Sequence, residues 1–365
     1  MPLRASFLRS PNVRYIILGV HLLFLLGIFL HQGILTDKEA VKYLGCAADV
    51  LHGDFHDLTG NYLKYGAYIL FLLPFVALGP PSLAVVAQIA LGIAAAFALS
   101  RIVERLTGSM GLGSMAMAIL LLCYPVQVWT LALYTDGFFT SIGILSVERI
   151  TRNNGLDPWT IFLALLTLFA RPIGMLLVGP ALIWKWTNTP HSRTRIAARS
   201  IGYAMIFSVA VSLPGIERAQ LAPIVEAHVI AGFPEDTGAM DRFTGSSIAD
   251  AQIFLIQRHG VLGWLDLAAR RICALFTLHR PYYSTGHNIV AGIYYILYPF
   301  ALIGLWRWRK EPFVGLIAAV LLSYTLLIGL THDEWSGRFL VPLLPWLIVL
   351  SAISMDKRPR QLRAT

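Results

Sequence analysis

Long apolar runs alternate with short polar breaks along most of this chain. The apolar segments cover 13–31, 65–79, 83–100, 112–131, 136–147, 159–170, 172–184, 199–213, 288–305, 313–330 and 339–354. Several approach the ~20 apolar residues that a helix needs to cross a bilayer. The pattern predicts an all-α, polytopic membrane protein. Two stretches outside these runs are long, 34–64 and 214–287. Within the second, helices are expected over 247–258 and 261–279. Leu262, Leu265, Ala269, Ile272 and Phe276 recur there at helical spacing, with Arg270 and Arg271 off the stripe, as in a helix lying on a leaflet. No internal repeat is visible.

Charge decides how many of the eleven runs cross. If 65–79 crosses, Arg101, Arg105, Arg149 and Arg152 fall outside, against the positive-inside bias. If 65–79 dips in or lies in the interface, those four join Lys185 to Arg199, Arg307 to Lys310 and Lys357 to Arg363 on the N-terminal side. That side then holds 18 Lys and Arg against 5 Asp and Glu, and the outer side 10 against 15, with Arg171 between two short spans. We therefore expect about ten crossings with both termini cytoplasmic. Segment 159–184 has two readings. One is a single span burying Arg171, at a cost of at least ~2.5–3.5 kcal/mol. The other is two short helices meeting at "ARPIG", where Pro172 and Gly174 break a helix readily. Spans that short need a thinned bilayer or a water-filled cavity.

Composition agrees with the pattern. The 365 residues are 56% hydrophobic and 13% charged, with a mean hydropathy of +0.66. A soluble domain carries about twice that charge. The net charge of +9 would suit a nucleic-acid partner, but its placement makes it an orientation signal, and nucleic acid drops out. The first run follows Arg4, Arg9 and Arg14 like a signal peptide, yet no small-residue cleavage site follows, so it reads as a retained span. Cys46, Cys123 and Cys273 fit no metal or redox spacing.

The first polar break, "GILTDKEAVKYLGCAADVLHGDF", opens with three charges. Thr36 with Glu39 forms a capping-box pattern, and Ala40, Val41, Leu44, Ala47, Ala48 and Leu51 follow at helical period. A juxtamembrane amphipathic helix is expected from Thr36, with Asp37 in its first turn favourable to the helix dipole. That accounts for the charges without chemistry. A second reading comes from the other outer boundaries: Asp136 in "LALYTDGFF", Arg171, Lys64 in "NYLKYGAY" and Arg338 in "SGRFLVP". Acids and bases at five such boundaries suggest a cavity opening outward at the leaflet.

The order of these features resembles the GT-C superfamily of membrane glycosyltransferases. The sequence runs from an acid opening a juxtamembrane helix, through the turn "HGDF" and a Lys before a re-entrant segment ("LKYGAYILFLLPFVALG"), to a second outer acid ("YTDGFF"). A short span ending in a base ("LLTLFARPIG") and a late "GRFLVPLLPW" complete it. The nearest branch is that of bacterial aminoarabinose transferases and protein mannosyltransferases. The resemblance covers most of 13–184 and the last span. It implies one integral membrane domain over 1–365: a core, 1–213, with first outer loop 34–82; a large outer loop, 214–287; and 288–365 with the last three spans and a cytoplasmic tail. It implies a bacterial inner-membrane enzyme that moves a sugar from a polyprenyl-phosphate carrier to an acceptor at the periplasmic face. Asp37 would be the general base on the acceptor. Lys64 and Arg171 would hold the lipid phosphate, Asp136 would orient, and Glu39, Tyr62 and Arg338 would contact substrate. Lys38 follows Asp37 where many relatives carry a second acid, and no D-x-D occurs in either outer acid motif. No catalytic metal and no cofactor beyond the lipid-linked donor is therefore expected. The chain is short for the superfamily, which suits a lipid-linked or glycan acceptor. A glycan polymerase or ligase, and a non-enzymatic transporter or flippase of a lipid-linked sugar, are the competing readings.

Other polar motifs have plainer readings. "HGDFHD" could clasp a metal between His52 and His56, though its turn formers favour a loop. "THDEW" (331–335), a short outer loop with two acids, either touches a substrate or forms a solvated turn, the turn being the plainer reading. Residues 227–245 either cover the cavity or form a flexible connector. Trp129, Tyr134, Trp184, Trp186, Trp306 and Trp308 read as interface anchors. No Gly-rich phosphate loop appears, which fits a lipid-linked donor better than a nucleotide sugar.

Overall fold

The computed structural model of the protein describes residues 12–60, 62–152, 157–187, 193–212 and 218–356. Among them every regular element is helical, and extended pairing is confined to two isolated parallel bridges, Leu35 with Ala132 and Ile230 with Asp333. Arg4, Arg9 and Lys357 to Arg363, which contribute to the orientation argument, lie outside the described residues.

Helix α1 (Asn12–Gln32) leads into the amphipathic α2 (Glu39–Leu51), then into α3 (Gly66–Ala77) through a 3-10 turn, Leu63–Tyr65. Tyr68 of α3 donates its hydroxyl to Gln88 Oε1 at 3.0 Å, and Gln88 sits near the start of α4 (Leu83–Thr107). Both ends of α3 therefore lie at one end of α4, and α3 does not traverse the bundle. Arg14 in the first turn of α1 pairs with Glu104 and donates to Ser100 Oγ at 3.2 Å, so α1 and α4 run antiparallel. The chain returns as α5 (Met110–Leu121) and α6 (Tyr124–Thr130), bent by 59°. Extended Cys123 and the following Pro125 account for that break.

Next come α7 (Thr135–Arg152), α8 (Pro158–Ala170) and α9 (Met175–Trp186). Arg149 pairs with Asp157 at 3.6 Å, Ser146 donates to the Leu163 carbonyl, and Arg171 meets Asp136, so α8 runs antiparallel to α7. Lys185 donates to the Ile150 carbonyl at 2.9 Å, and Leu177 packs at Gly143, so α9 runs parallel to α7. Residues 159–184 are therefore a hairpin with Arg171 at its tip in extended conformation, followed by the 3-10 turn Pro172–Gly174. A Cβ on Gly174 would collide with the Thr167 carbonyl oxygen, which is why glycine stands there.

Helix α10 (Arg193–Ser212) packs back on α9, Gly202 against Ile183 and Gly179 against Ile206. Beyond it, α11 (Arg218–Val225) and α12 (Ile248–Phe276) form the large polar segment. Helix α12 breaks at Gly260 (φ 70°), between the two expected stretches. Leu262 and Leu265 face outward, while Arg271 is buried and donates to the carbonyls of His228, Ile224 and Leu330. Arg271 thus fastens this segment to the end of a later helix, a role its place off the apolar stripe did not announce. The remaining elements are α13 (Thr285–Gly292), α14 (Leu297–Arg307), α15 (Pro312–Leu330) and α16 (Leu344–Ser354). Gly304 lets α14 sit directly on the Leu350 backbone of α16, a close approach typical of packing within membranes.

Among the described residues, four helical stretches are long and apolar enough to cross a membrane: Asn12–Gln32, Leu83–Thr107, Thr285–Arg307 and Pro312–Leu330. The bent α5–α6 pair would make a fifth. Large apolar side chains such as Leu23, Leu30, Leu302, Trp306 and Leu322 point outward from these stretches. An apolar exterior of this kind is compatible with a multi-pass membrane protein.

Gly174→Ala and Gly304→Ala should each destabilise the protein by about 1–3 kcal/mol through forced backbone shifts. Gly27→Ala, where a Cβ meets nothing within 4 Å, should be neutral or slightly stabilising. Thermal unfolding in mild detergent checks the contrast. Equal behaviour of the three variants would refute the packing described.

Candidate active site

The exit from α1 is held extended. Leu35 N–H donates to the Leu131 carbonyl at 3.2 Å, and Leu133 N–H donates to the Leu35 carbonyl at 3.0 Å. This pairing brings 37–39 alongside 134–136. It also overturns the expected capping box. Residues tied into a bridge cannot begin a helix, so α2 starts at Glu39, and no side chain caps it. The helix is entered through Lys38 at φ 49°, a strained setting for a residue with a side chain. Asp37 lies just outside the helix, exposed, and accepts a hydrogen bond from the Tyr134 hydroxyl at 3.4 Å. Lys38 Nζ stands 4.4 Å over the Trp335 ring.

Glu39 turns inward. Its carboxylate accepts from Lys42 at 3.2 Å and from Tyr43 at 3.0 Å, and Arg338 lies 3.8 Å away. Burial works to raise its pKa, but the Arg338 and Lys42 charges and these hydrogen bonds outweigh it. Glu39 is held below the usual carboxylate range.

Asp136 is fully buried at the start of α7 and pairs with Arg171 at the hairpin tip. Its second oxygen faces Arg338 at 3.9 Å, without a hydrogen bond. Gly337, at φ 69°, turns the chain so that the 3-10 turn Arg338–Leu340 delivers Arg338 to this point. Arg338 also lies 3.8 Å from Glu334, and its guanidinium stands 5.7 Å over Tyr134. Four of the expected residues (Glu39, Asp136, Arg171 and Arg338) thus form one charged cluster, and Tyr134 joins it to a fifth, Asp37.

Lys64 approaches from the side. It donates to Gln220 at 3.1 Å and lines, with Arg171 and His332, a cavity of about 590 Å³. The remaining wall is largely apolar, including Leu168, Leu176, Ala210, Leu327 and Ile328. Cations at one side and aliphatic walls elsewhere suit a molecule with an anionic head and a hydrocarbon body. Tyr62 is not drawn in. It packs half-buried against the core, and no hydrogen bond or ion pair joins it to the cluster.

Several sequence readings are corrected. "THDEW" is no solvated turn: His332 lines the cavity, Asp333 is buried against Arg280, and Glu334 is buried near Arg338. The bridge to Ile230 pulls this segment inward. Trp129, Tyr134, Trp184 and Trp308 are buried rather than interfacial, whereas Trp186 and Trp306 are exposed. Residues 227–245 are tied down by that bridge and by the Arg258–Asp236 and Arg270–Glu235 pairs. In "HGDFHD" the Asp54 carboxylate accepts from the His56 backbone, as in a turn. No group of three or more metal-binding side chains occurs among the described residues. Sequence reasoning missed Tyr43, Arg280 and Tyr65, which lines the cavity beside Lys64. Only the Glu39–Tyr43 spacing of four offered a signal.

No protein-family model matches this chain, and neither does any curated protein or solved structure.

Asp136→Ala leaves Arg171 buried without its counter-charge and should cost about 3–5 kcal/mol. Replacing Asp136 and Arg171 together by Leu should cost clearly less than the sum of the two single changes. A double-mutant cycle on thermal stability measures this, and additivity would show that the pair is not coupled. Burial also pushes His332 down to about 4. Between its ordinary 6.5 and that value the unfolded chain binds the extra proton, so stability falls as pH drops, by up to about 1.4 kcal/mol per unit. His332→Gln should flatten the fall in melting temperature between pH 6.5 and 4.5. An unchanged slope would exclude His332 as its source.

Proposed function

We propose that this chain is an integral membrane glycosyltransferase of the GT-C kind. It takes a sugar from a polyprenyl-phosphate carrier and passes it to a lipid-linked or glycan acceptor at the outer face of a bacterial inner membrane. Ten passes follow from the proposal: α1, α4, α5–α6, α7, α8, α9, α10, α13–α14, α15 and α16, with α2 and α3 on the outer side. In this arrangement Arg101, Arg105, Arg149, Arg152 and Lys185 share the cytoplasmic end with both termini, in keeping with the positive-inside bias.

The observation that carries the reading is the mostly apolar cavity lined by Lys64 and Arg171, one ion pair away from the cluster that borders the exposed Asp37 carboxylate. The acceptor hydroxyl gives its proton to Asp37 while its oxygen bonds to the sugar's anomeric carbon. The bond from that carbon to the phosphate oxygen breaks, and polyprenyl phosphate leaves with its charge met by Lys64 and Arg171. Asp136 is unsuited to the base role, because it is buried and already neutralises Arg171. It orients the cations.

The test uses membranes from cells lacking this protein, complemented with wild type, Asp37→Asn or Lys64→Ala at matched folded levels, and labelled polyprenyl-phosphate sugars. Wild type should transfer sugar, Asp37→Asn should lose about 100-fold or more in kcat, and Lys64→Ala should mainly raise the donor KM. Full activity in Asp37→Asn would place the base elsewhere. Silence of wild type with every donor would favour a carrier over an enzyme.

A further inference from the structure

A second pocket, of about 170 Å³, shares no lining residue with the Lys64 cavity, and its walls differ in kind. They carry Tyr124, Trp129, Tyr283, His287 and Trp335 around one charged side chain, Arg280. Tyr283 lies against His287 with ring centroids 4.0 Å apart, and His287 meets Tyr124 edge-on at 5.2 Å. Arg280 is 3% exposed and pairs with Asp333. Asn288 holds its backbone from both sides, accepting from the Arg280 N–H at 2.9 Å and donating to its carbonyl at 2.8 Å. The guanidinium is thus fixed in place, and its Nε–H has no hydrogen-bond partner. A buried, unpaired donor in a preformed pocket is unusual and suggests a ligand that satisfies it.

Charge narrows the ligand. Asp333 already neutralises Arg280, so the pocket presents polar donors rather than a net cation, unlike the Lys64 side. Aromatic faces pack on the C–H face of a pyranose ring, and the ring's hydroxyls accept hydrogen bonds. Two walls also reach the same step of the first outer loop. Trp335 lies under Lys38, and Trp129 packs on Tyr134 at 5.6 Å, whose hydroxyl holds Asp37.

The geometry points to this pocket as a sugar-binding subsite that holds a neutral pyranose of the acceptor, with Arg280 donating to a ring hydroxyl and the adjoining ring hydroxyl turned toward Asp37. Naming the sugar as acceptor rests on the glycosyltransferase reading; the sugar site itself does not. The donor phosphate and the acceptor ring then occupy separate pockets with no lining residue in common.

The test is saturation-transfer NMR on the full chain in lipid nanodiscs, with methyl glucopyranoside and methyl mannopyranoside as probes and inorganic phosphate as competitor. At least one glycoside should bind with a dissociation constant up to about 50 mM, and phosphate should not displace it. Trp335→Leu, at a half-exposed position that should not disturb folding, and Tyr283→Leu should each weaken binding about 10-fold or more. Arg280→Lys should weaken it with the aromatic walls intact. In the transfer assay Trp335→Leu should raise the acceptor KM and leave the donor KM unchanged. No glycoside binding at that concentration, displacement by phosphate, or indifference to both Trp335→Leu and Tyr283→Leu would overturn the assignment. Glycoside binding that both variants abolish, in a protein that transfers from no polyprenyl-phosphate donor, would uphold the subsite and reject the transferase.

Discussion

Asp136 and the two guanidiniums that flank it fix one end of the helical bundle. The three residues come from the first turn of α7, the tip of the α8–α9 hairpin and the loop before α16, segments far apart in sequence. Each ion alone would carry a desolvation cost of several kcal/mol, so none is stable there without the others. One carboxylate cannot neutralise two cations. Glu39 and Glu334 supply the balance from the other side of Arg338, and that need draws α2 and the 331–337 loop toward the same point. The cluster therefore decides where the hairpin tip sits, and with it the position of the Arg171 side of the larger cavity.

Two short backbone pairings complete the frame. Leu35 with Ala132 keeps the exit of α1 extended and leaves Asp37 outside α2, exposed to an incoming molecule. Ile230 with Asp333 does the reverse, drawing an acidic loop inward until Asp333 is buried on Arg280. Each bridge is only one residue wide, yet each sets whether a neighbouring acid meets solvent or protein. The arrangement separates an available carboxylate from those that only hold cations.

Much of this was legible in the sequence where a local rule and the tertiary fold agree. The apolar runs became helices, Gly260 broke α12, and Pro172 with Gly174 broke the 159–184 run at Arg171. The convergence of Asp37, Asp136, Arg171 and Arg338 followed from their shared level at the ends of apolar runs, whereas Glu39 entered only through the resemblance and Lys64 stands to one side, at the cavity. The failures have one cause. Thr36 and Glu39 satisfy the local capping rule, but a bridge formed with residues nearly one hundred positions away took precedence. Arg271, Arg280 and Asp333 look like solvated charges in any sequence window, because their partners lie in other segments. Trp129 and Tyr134 could serve as belt or core, and only packing tells these apart. Tyr62 had only its neighbours to recommend it.

The α8–α9 hairpin has a consequence for the surrounding lipid. Its helices have 13 and 12 residues, a rise of about 20 and 18 Å, against a hydrocarbon thickness of about 30 Å. On the multi-pass reading, the two leaflets must draw together along this edge, or water must enter beside it. Either response carries the polar surface of the membrane down toward Arg171. A lipid headgroup arriving there would be lowered by the shape of the bilayer itself and would cross less hydrocarbon than beside the longer helices α1 and α4. The bilayer thereby becomes part of the entrance.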